Sequence, residues 1–195
     1  AEQLESAWIV GGGYKYLQLG EGNCFLRLPP HAETMRPVLT GWFAEFEELA
    51  AEQDESSVSY ASGGTRFAGS TYDPTSHYRG ARVFAFFDER GLSPDFLREV
   101  SLHQTGLLAR CFDELDAPER LLERDRAVPL EQFGGFLAIE CPQSSAVAGR
   151  LADEGVLIDA RGRYLRLGPA PYLSDAQLEA AMERLEHAVS SLSAS

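Results

Sequence analysis

The chain has 195 residues, 44% of them hydrophobic and 24% charged, with 17 basic against 30 acidic side chains and a net charge of −13. That is an ordinary globular composition, long enough for one large domain or two small ones, and 11 Phe, 7 Tyr and 2 Trp supply a core and argue against disorder. The acidic balance and scattered basic residues argue against nucleic acid and anionic membrane surfaces as partners, and no apolar run approaches the roughly 20 residues of a spanning helix.

The first patterned segment is Trp8–Leu17, a short apolar strand running into Gly11-Gly12-Gly13 and then into Lys15 between Tyr14 and Tyr16. Gly20-Glu21-Gly22-Asn23 is a turn signal, and Cys24–Leu28 reads as a strand stopped by Pro29-Pro30. Residues 41–75, rich in Gly, Ser, Thr and aromatics, read as irregular with one or two helical turns over Glu45–Gln53. Residues 76–90 predict a helix that Gly91 ends from the C′ position. Ser93-Pro94 starts the next, with Ser as N-cap. Phe96, Leu97, Val100, Leu107, Leu108, Cys111, Phe112 and Leu115 then recur at helical spacing as far as Leu115. Gly135–Cys141 predicts a strand ended by Pro142, and Ser144–Ala152 a short helix. Val156–Asp159 and Tyr164–Leu167 predict strands about the turn Arg161-Gly162. The last helix starts at Ser174 with Gln177 completing a capping box, and Leu178, Ala181, Met182, Leu185, Val189 and Leu192 form its buried stripe. From about Ser93 onward the pattern is an α+β module.

Common catalytic signatures are missing: no G-x-x-x-x-G-K-[ST], no H-E-x-x-H, no G-x-S-x-G. His31, His77, His103 and His187 are isolated and read as surface or helix residues, so no metal site is expected. Cys24, Cys111 and Cys141 form no C-x-x-C and predict reduced, mostly buried thiols in a cytoplasmic protein. The start, Ala1-Glu2-Gln3-Leu4-Glu5, has no secretion-signal profile. Lys15 stands out. Its two tyrosines would help exclude water and lower the ammonium pKa, giving an amine that can form a Schiff base; the other reading is a strand-end lysine lying over two rings. Arg166, just before Gly168-Pro169, either receives a carboxylate or pairs with Asp159 or Glu140. Trp42 and Thr71 carry donors suited to phosphate, or else serve packing and turns.

Taken together these segments resemble the class V aminotransferase-fold, or fold-type I, pyridoxal-phosphate enzymes, and within them the kynureninase-like branch. The resemblance lies in Gly13-Tyr14-Lys15-Tyr16-Leu17 with Gly22 and the strand Phe25–Leu28, in Gly41-Trp42-Phe43, and in Arg66-Phe67 with Gly69 and Thr71. It continues through Asp159-Ala160-Arg161-Gly162, Leu165-Arg166 and Pro169. It implies an α/β fold: the last strands of a large cofactor-binding domain over residues 1–92 and a small α+β domain over 93–195. Lys15 would carry pyridoxal 5′-phosphate as a Schiff base and move the substrate α-proton. Tyr14 would bond the cofactor phosphate, Trp42 and Thr71 would reach the phosphate of the partner subunit's cofactor in a homodimer, and Arg166 would clamp an amino-acid carboxylate.

The family's chains are much longer, with the active lysine well inside, so the resemblance is to a C-terminal half. The missing N-terminal half would carry the phosphate-binding turn, the ring-stacking aromatic and the Asp on the pyridine nitrogen. Thr71-Tyr72-Asp73-Pro74 stands where bacterial kynureninases tend to have Thr-Pro-Pro. Hydrolysis, transamination, racemisation and elimination therefore stay open, while a desulfurase is disfavoured because no cysteine falls in the small-domain loop that should carry the persulfide. The competing expectation is a non-catalytic module that keeps the fold for dimerisation or partner binding. Either way Trp8-Ile9-Val10 and Phe84–Phe87 are expected to lack cover.

Overall fold

A computed structural model describes residues 4–49, 56, 58–115 and 120–193. Contacts divide the chain into two units, Ala1–Gly91 and Leu92–Ser195.

In the first unit β1 (Ile9–Gly12) pairs antiparallel with β2 (Cys24–Arg27), Ile9 opposite Arg27 and Gly12 opposite Cys24. The ribbon is open: every residue of β2 is exposed, Cys24 included. The expectation of mostly buried thiols thus fails at Cys24 and holds for Cys141, while Cys111 is half-buried. The segment after β2 is built from short 3-10 turns, Pro30–Thr34, Trp42–Glu48 and Gly63–Phe67. Helical structure therefore starts at Trp42, earlier than the sequence suggests, and kinks at Glu45. Positions 50–53 of the expected helix lie outside the described residues. Gly41 explains the early start. Its N–H donates to the Ala68 carbonyl at 3.1 Å and its carbonyl accepts from Ala44 N–H at 3.0 Å, which locks the entry to the turn. Helix α1 (Thr75–Glu89) closes the unit; Gly91 follows with φ +65°, a left-handed conformation that glycine adopts without a Cβ clash.

In the second unit α2 (Pro94–Glu114) starts as the sequence predicts, with Ser93 Oγ accepting from Phe96 N–H at 3.2 Å. Its buried stretch begins only at Gln104; Phe96 is exposed. The sheet has three antiparallel strands in the order β3 (Leu137–Glu140), β5 (Tyr164–Leu167), β4 (Asp159–Arg161). Glu123 extends the free edge of β3 by exchanging backbone bonds with Glu140. Strand alternation sends Leu137, Ile139, Leu165 and Leu167 inward. They meet Leu108 and Phe112 of α2, Val147 and Leu151 of α3 (Ser144–Asp153), and Leu178, Met182, Leu185 and Val189 of α4 (Asp175–Ser193). Full burial of such a side chain stabilises by about 1.5–3 kcal/mol. The capping box also forms: Gln177 Oε1 accepts from Ser174 N–H at 2.9 Å and Gln177 N–H reaches Ser174 Oγ at 3.4 Å.

The strand expected over Val156–Asp159 is displaced. Val156 N–H donates to Leu151 O at 2.8 Å and Gly155 N–H to Ala152 O at 3.0 Å, with Gly155 at φ +80°. These bonds finish α3 and hold Val156 out of the sheet. At the other end Gly162, φ +56°, makes a two-residue hairpin that sets Arg161 opposite Tyr164, so pairing begins there and reaches back only to Asp159.

Candidate functional site

Lys15 sits in the loop Gly13–Leu19 between β1 and β2. Leu19 N–H donates to Gly13 O at 2.8 Å, Gln18 N–H to Lys15 O at 3.0 Å and Gly13 N–H to Asn23 O at 2.8 Å, so the loop closes on itself. Leu19 is buried at its base, and a Cβ on Gly13 would come within 2.5 Å of the Leu19 side chain, which is why glycine stands there. Gln18 takes φ +53°, unusual for a residue with a side chain. Helix α1 clamps the far side: Arg79 Nε donates to Leu19 O at 2.5 Å, Asn23 Nδ2 to Ser76 O at 3.1 Å and Ser76 Oγ to Gly22 O at 3.3 Å. Gly80 leaves the room that Asn23 occupies, since a Cβ there would lie 2.8 Å from Asn23 Nδ2.

The result is a firmly closed loop that presents Lys15 to the outside. Its Nζ lies 5.5 Å from the centroid of the Tyr14 ring. Lys15, Tyr14 and Tyr16 are all exposed, so the expected dry aromatic sleeve around the amine does not exist in this unit. Only the Tyr14 ring neighbours the ammonium, and both rings stand in solvent, so they do not enclose it. Lys15 is also the chain's only lysine.

Trp42 and Thr71 are brought onto neighbouring segments. Gly41 N–H bonds Ala68 O and Phe43 N–H bonds Gly69 O at 3.2 Å. A Cβ on Gly41 would sit 2.2 Å from the Ser70 amide nitrogen and 2.3 Å from the Gly69 carbonyl carbon, so the two backbones touch there. Both side chains are exposed. The Trp42 ring stands 5.4 Å from Phe43 and 5.8 Å from Phe46, centroid to centroid, and Tyr72 stands 5.7 Å from Phe43. Arg66, at the head of the segment Arg66-Phe67-Ala68-Gly69-Ser70-Thr71, is spent on backbone: its Nε donates to Ala61 O at 3.2 Å and Nη1 to Met35 O at 3.2 Å and to Glu33 O. Asp73 accepts from Thr75 Oγ1 at 2.6 Å and Thr75 N–H at 2.9 Å, which hold its carboxyl below the usual range, the hydroxyl contributing most.

Arg166 belongs to the second unit. In β5 it stands between Ala138 and Asp159 on the outer face of the sheet. Its Nη2 donates to Asp159 Oδ2, so the ion-pair alternative is realised with Asp159, while Glu140 pairs with Arg163 at 2.6 Å. The Arg166 hydrogen bond is the main cause of a lowered Asp159 carboxyl pKa. The guanidinium also stacks over Phe136, 5.3 Å from Cζ to ring centroid. Phe136 had no signal beyond an aromatic at a strand start. Arg79 carries no signal in the sequence and Asn23 reads there only as part of a turn, although a glycine inside a helix, Gly80, is the kind of mark that betrays close packing.

Of the cysteines, Cys141 is buried and its thiol pKa is pushed up by that burial. Cys111 is raised as well, burial first and Glu114 next. Among the described residues no cluster of His, Cys, Asp and Glu is placed to hold a metal ion. Nor is any helix long and apolar enough to cross a membrane.

No family model and no curated protein matches the chain. Among solved structures it is similar to the cysteine desulfurase CsdA from Escherichia coli, TM-score 0.74 at 14% identity, over 97% of this chain and 47% of that one. A NifS-like protein follows with TM-score 0.56 at 14% identity, over 86% and 42%. The chain thus spans about half the length of these proteins or less. At such identities the likeness is one of fold alone: a mixed α/β architecture that this chain shares with part of each of these proteins.

Proposed function

We propose that this chain is the C-terminal part of a pyridoxal-phosphate enzyme that acts on an amino acid. The observation that carries the reading is Lys15: the chain's only ε-amine stands exposed on a loop closed by backbone bonds, in a chain that shares its fold with the desulfurase over nearly its whole length. The donors fit the cofactor. There is one amine for its aldehyde at Lys15, and a phenol, an indole N–H and a hydroxyl at Tyr14, Trp42 and Thr71 for its phosphate. Bound there, pyridoxal phosphate would supply the electron sink that no protein side chain offers.

The chain's own residues would do the rest. Lys15 Nζ would hold the cofactor and then carry the proton taken from the substrate α-carbon. Trp42 and Thr71, on segments joined through Gly41, would serve the phosphate bound at the partner subunit. Arg166 would receive the substrate carboxylate, its planar fork matching two oxygens. Water exclusion around Lys15 would come from the other half of the fold, since Tyr14 and Tyr16 do not provide it here. Within this class kynureninase-like hydrolysis is one option beside transamination, racemisation and elimination, all of which would use the same lysine and arginine. Sulfur transfer is disfavoured, because Cys141 is buried, Cys111 lies within α2, and the exposed Cys24 is fixed in strand β2 rather than carried on a loop of the second unit. A partner-binding module without catalysis is the second reading, favoured by the exposure of Trp8, Val10, Phe84 and Phe86.

The test is cofactor capture. The intact chain is incubated with pyridoxal phosphate, reduced with borohydride and digested for mass spectrometry, beside Lys15→Arg. One reduced adduct on the Lys15 peptide, lost in the variant, is the expected result. An unlabelled Lys15 peptide, with the complementary half of the fold supplied as well, would overturn the enzyme reading in favour of the binding module.

A further inference from the structure

We propose that Asp159 is a built-in stand-in for the ligand carboxylate on Arg166, and so makes that site selective for small carboxylates. The proposal rests on the reading of Arg166 as a substrate-binding residue. On the outer face of the sheet Arg166 lies between a short side chain, Ala138 on β3, and a carboxylate, Asp159 on β4. Only its Nη2 is used, on Asp159 Oδ2; Nε and Nη1 have no protein partner among the described residues. Phe136 supports the face of the guanidinium whichever carboxylate lies at its edge.

Asp159 has a second arginine within reach. Arg161, two residues along β4 and therefore on the same face, places Nε 3.3 Å from both carboxylate oxygens. One carboxylate between two guanidiniums leaves the group with a positive excess. An arriving carboxylate can therefore take Arg166 while Asp159 keeps Arg161, and no charge is left alone. The exchange replaces like with like. A neutral amide or alcohol offers no charge to offset the loss of Asp159, so it cannot complete the swap. Glu140 is held by Arg163 and does not compete.

The intact chain, labelled with 15N-arginine, reports this directly through its guanidinium N–H resonances, that of Arg166 being the one missing in Arg166→Lys. Acetate and acetamide are titrated at constant ionic strength. Acetate is expected to shift the Arg166 signal saturably and acetamide to leave it in place. Asp159→Asn is expected to tighten acetate binding about threefold and Arg161→Ala to weaken it about threefold, the scale of an exposed ion pair. Glu140→Gln removes the same charge nearby and is expected to change little. An equal gain in Glu140→Gln, or unchanged or weaker binding in Asp159→Asn, overturns the stand-in role while Arg166 keeps its assignment. An Arg166 signal deaf to acetate in every variant removes the assignment of Arg166 itself, and the proposal with it.

Discussion

The two units of this chain spend their apolar side chains in opposite ways. The second turns Leu137, Ile139, Leu151, Leu165, Met182 and Leu185 inward onto one another. The first buries mainly small or backbone-hugging residues, Gly13, Leu19, Pro29, Ala32, Ala44 and Gly80, and leaves Val10, Phe25, Val38, Leu39 and Trp42 exposed. It is held by loop-to-loop backbone bonds and by arginines and an asparagine that grip carbonyls. The lesson is about division of labour. A shared core makes the second unit a support whose shape depends on packing. The first is a set of tied loops that present side chains, apolar ones among them, to solvent.

The sharpest way to break this contrast is to cut into the packed core. Leu185→Ala, at a fully buried position of α4, is expected to cost about 3 kcal/mol, read as a lower denaturant midpoint, while hydrogen exchange at Gly13, whose N–H bonds Asn23 O in the first unit, stays as slow as before. An equal loss of protection at the Gly13 amide would show the two units to be one cooperative body.

In the first unit the sensitive places are glycines rather than large side chains. Gly41→Ala would push a methyl into the Gly69–Ser70 backbone and is expected to cost about 2 kcal/mol. The effect should be read as faster hydrogen exchange at Phe43, whose N–H bonds Gly69 O, with the exchange of Ile139 unchanged.

Acid gives the smallest effect. Asp113 accepts from Arg124 Nε at 2.9 Å and Arg126 Nε at 3.1 Å, and the Arg124 bond is the main cause holding its carboxyl below the ordinary 3.8. A carboxyl lowered in the folded state adds stability that is complete above its unfolded pKa and is lost as pH falls through the folded one. Asp113 is a third exposed, so the expected loss below about pH 4 is about 0.5 kcal/mol, absent in Asp113→Asn and measured by denaturant titration across that range.

The legible parts of this molecule were those ruled by local chemistry. The Ser93-Pro94 start, the Ser174–Gln177 box and the Gly91 stop each follow from a side chain or a missing Cβ acting on its own turn. The α4 stripe was readable because its period is that of the helix. What escaped depends on distant partners. Val156 looks like a strand residue and is claimed by the end of α3 instead. Tyr14 and Tyr16 read as shielding for Lys15, but only the course of the loop decides where two rings point. At the candidate site the sequence named Lys15 and Arg166 and offered Asp159 as one partner of the latter, whereas Phe136, Arg79 and Asn23 became visible only with the chain folded.

The solitary ε-amine on the closed Gly13–Leu19 loop has one more use. Amine-directed cross-linking normally yields a tangle of unordered distances, because most proteins offer many lysines. Here the loop is a fixed origin. Any lysine of another chain joined to the Lys15 peptide by a short spacer must lie within the spacer's length of Lys15, so a handful of such linked peptides from a reconstituted assembly would locate what stands over the loop.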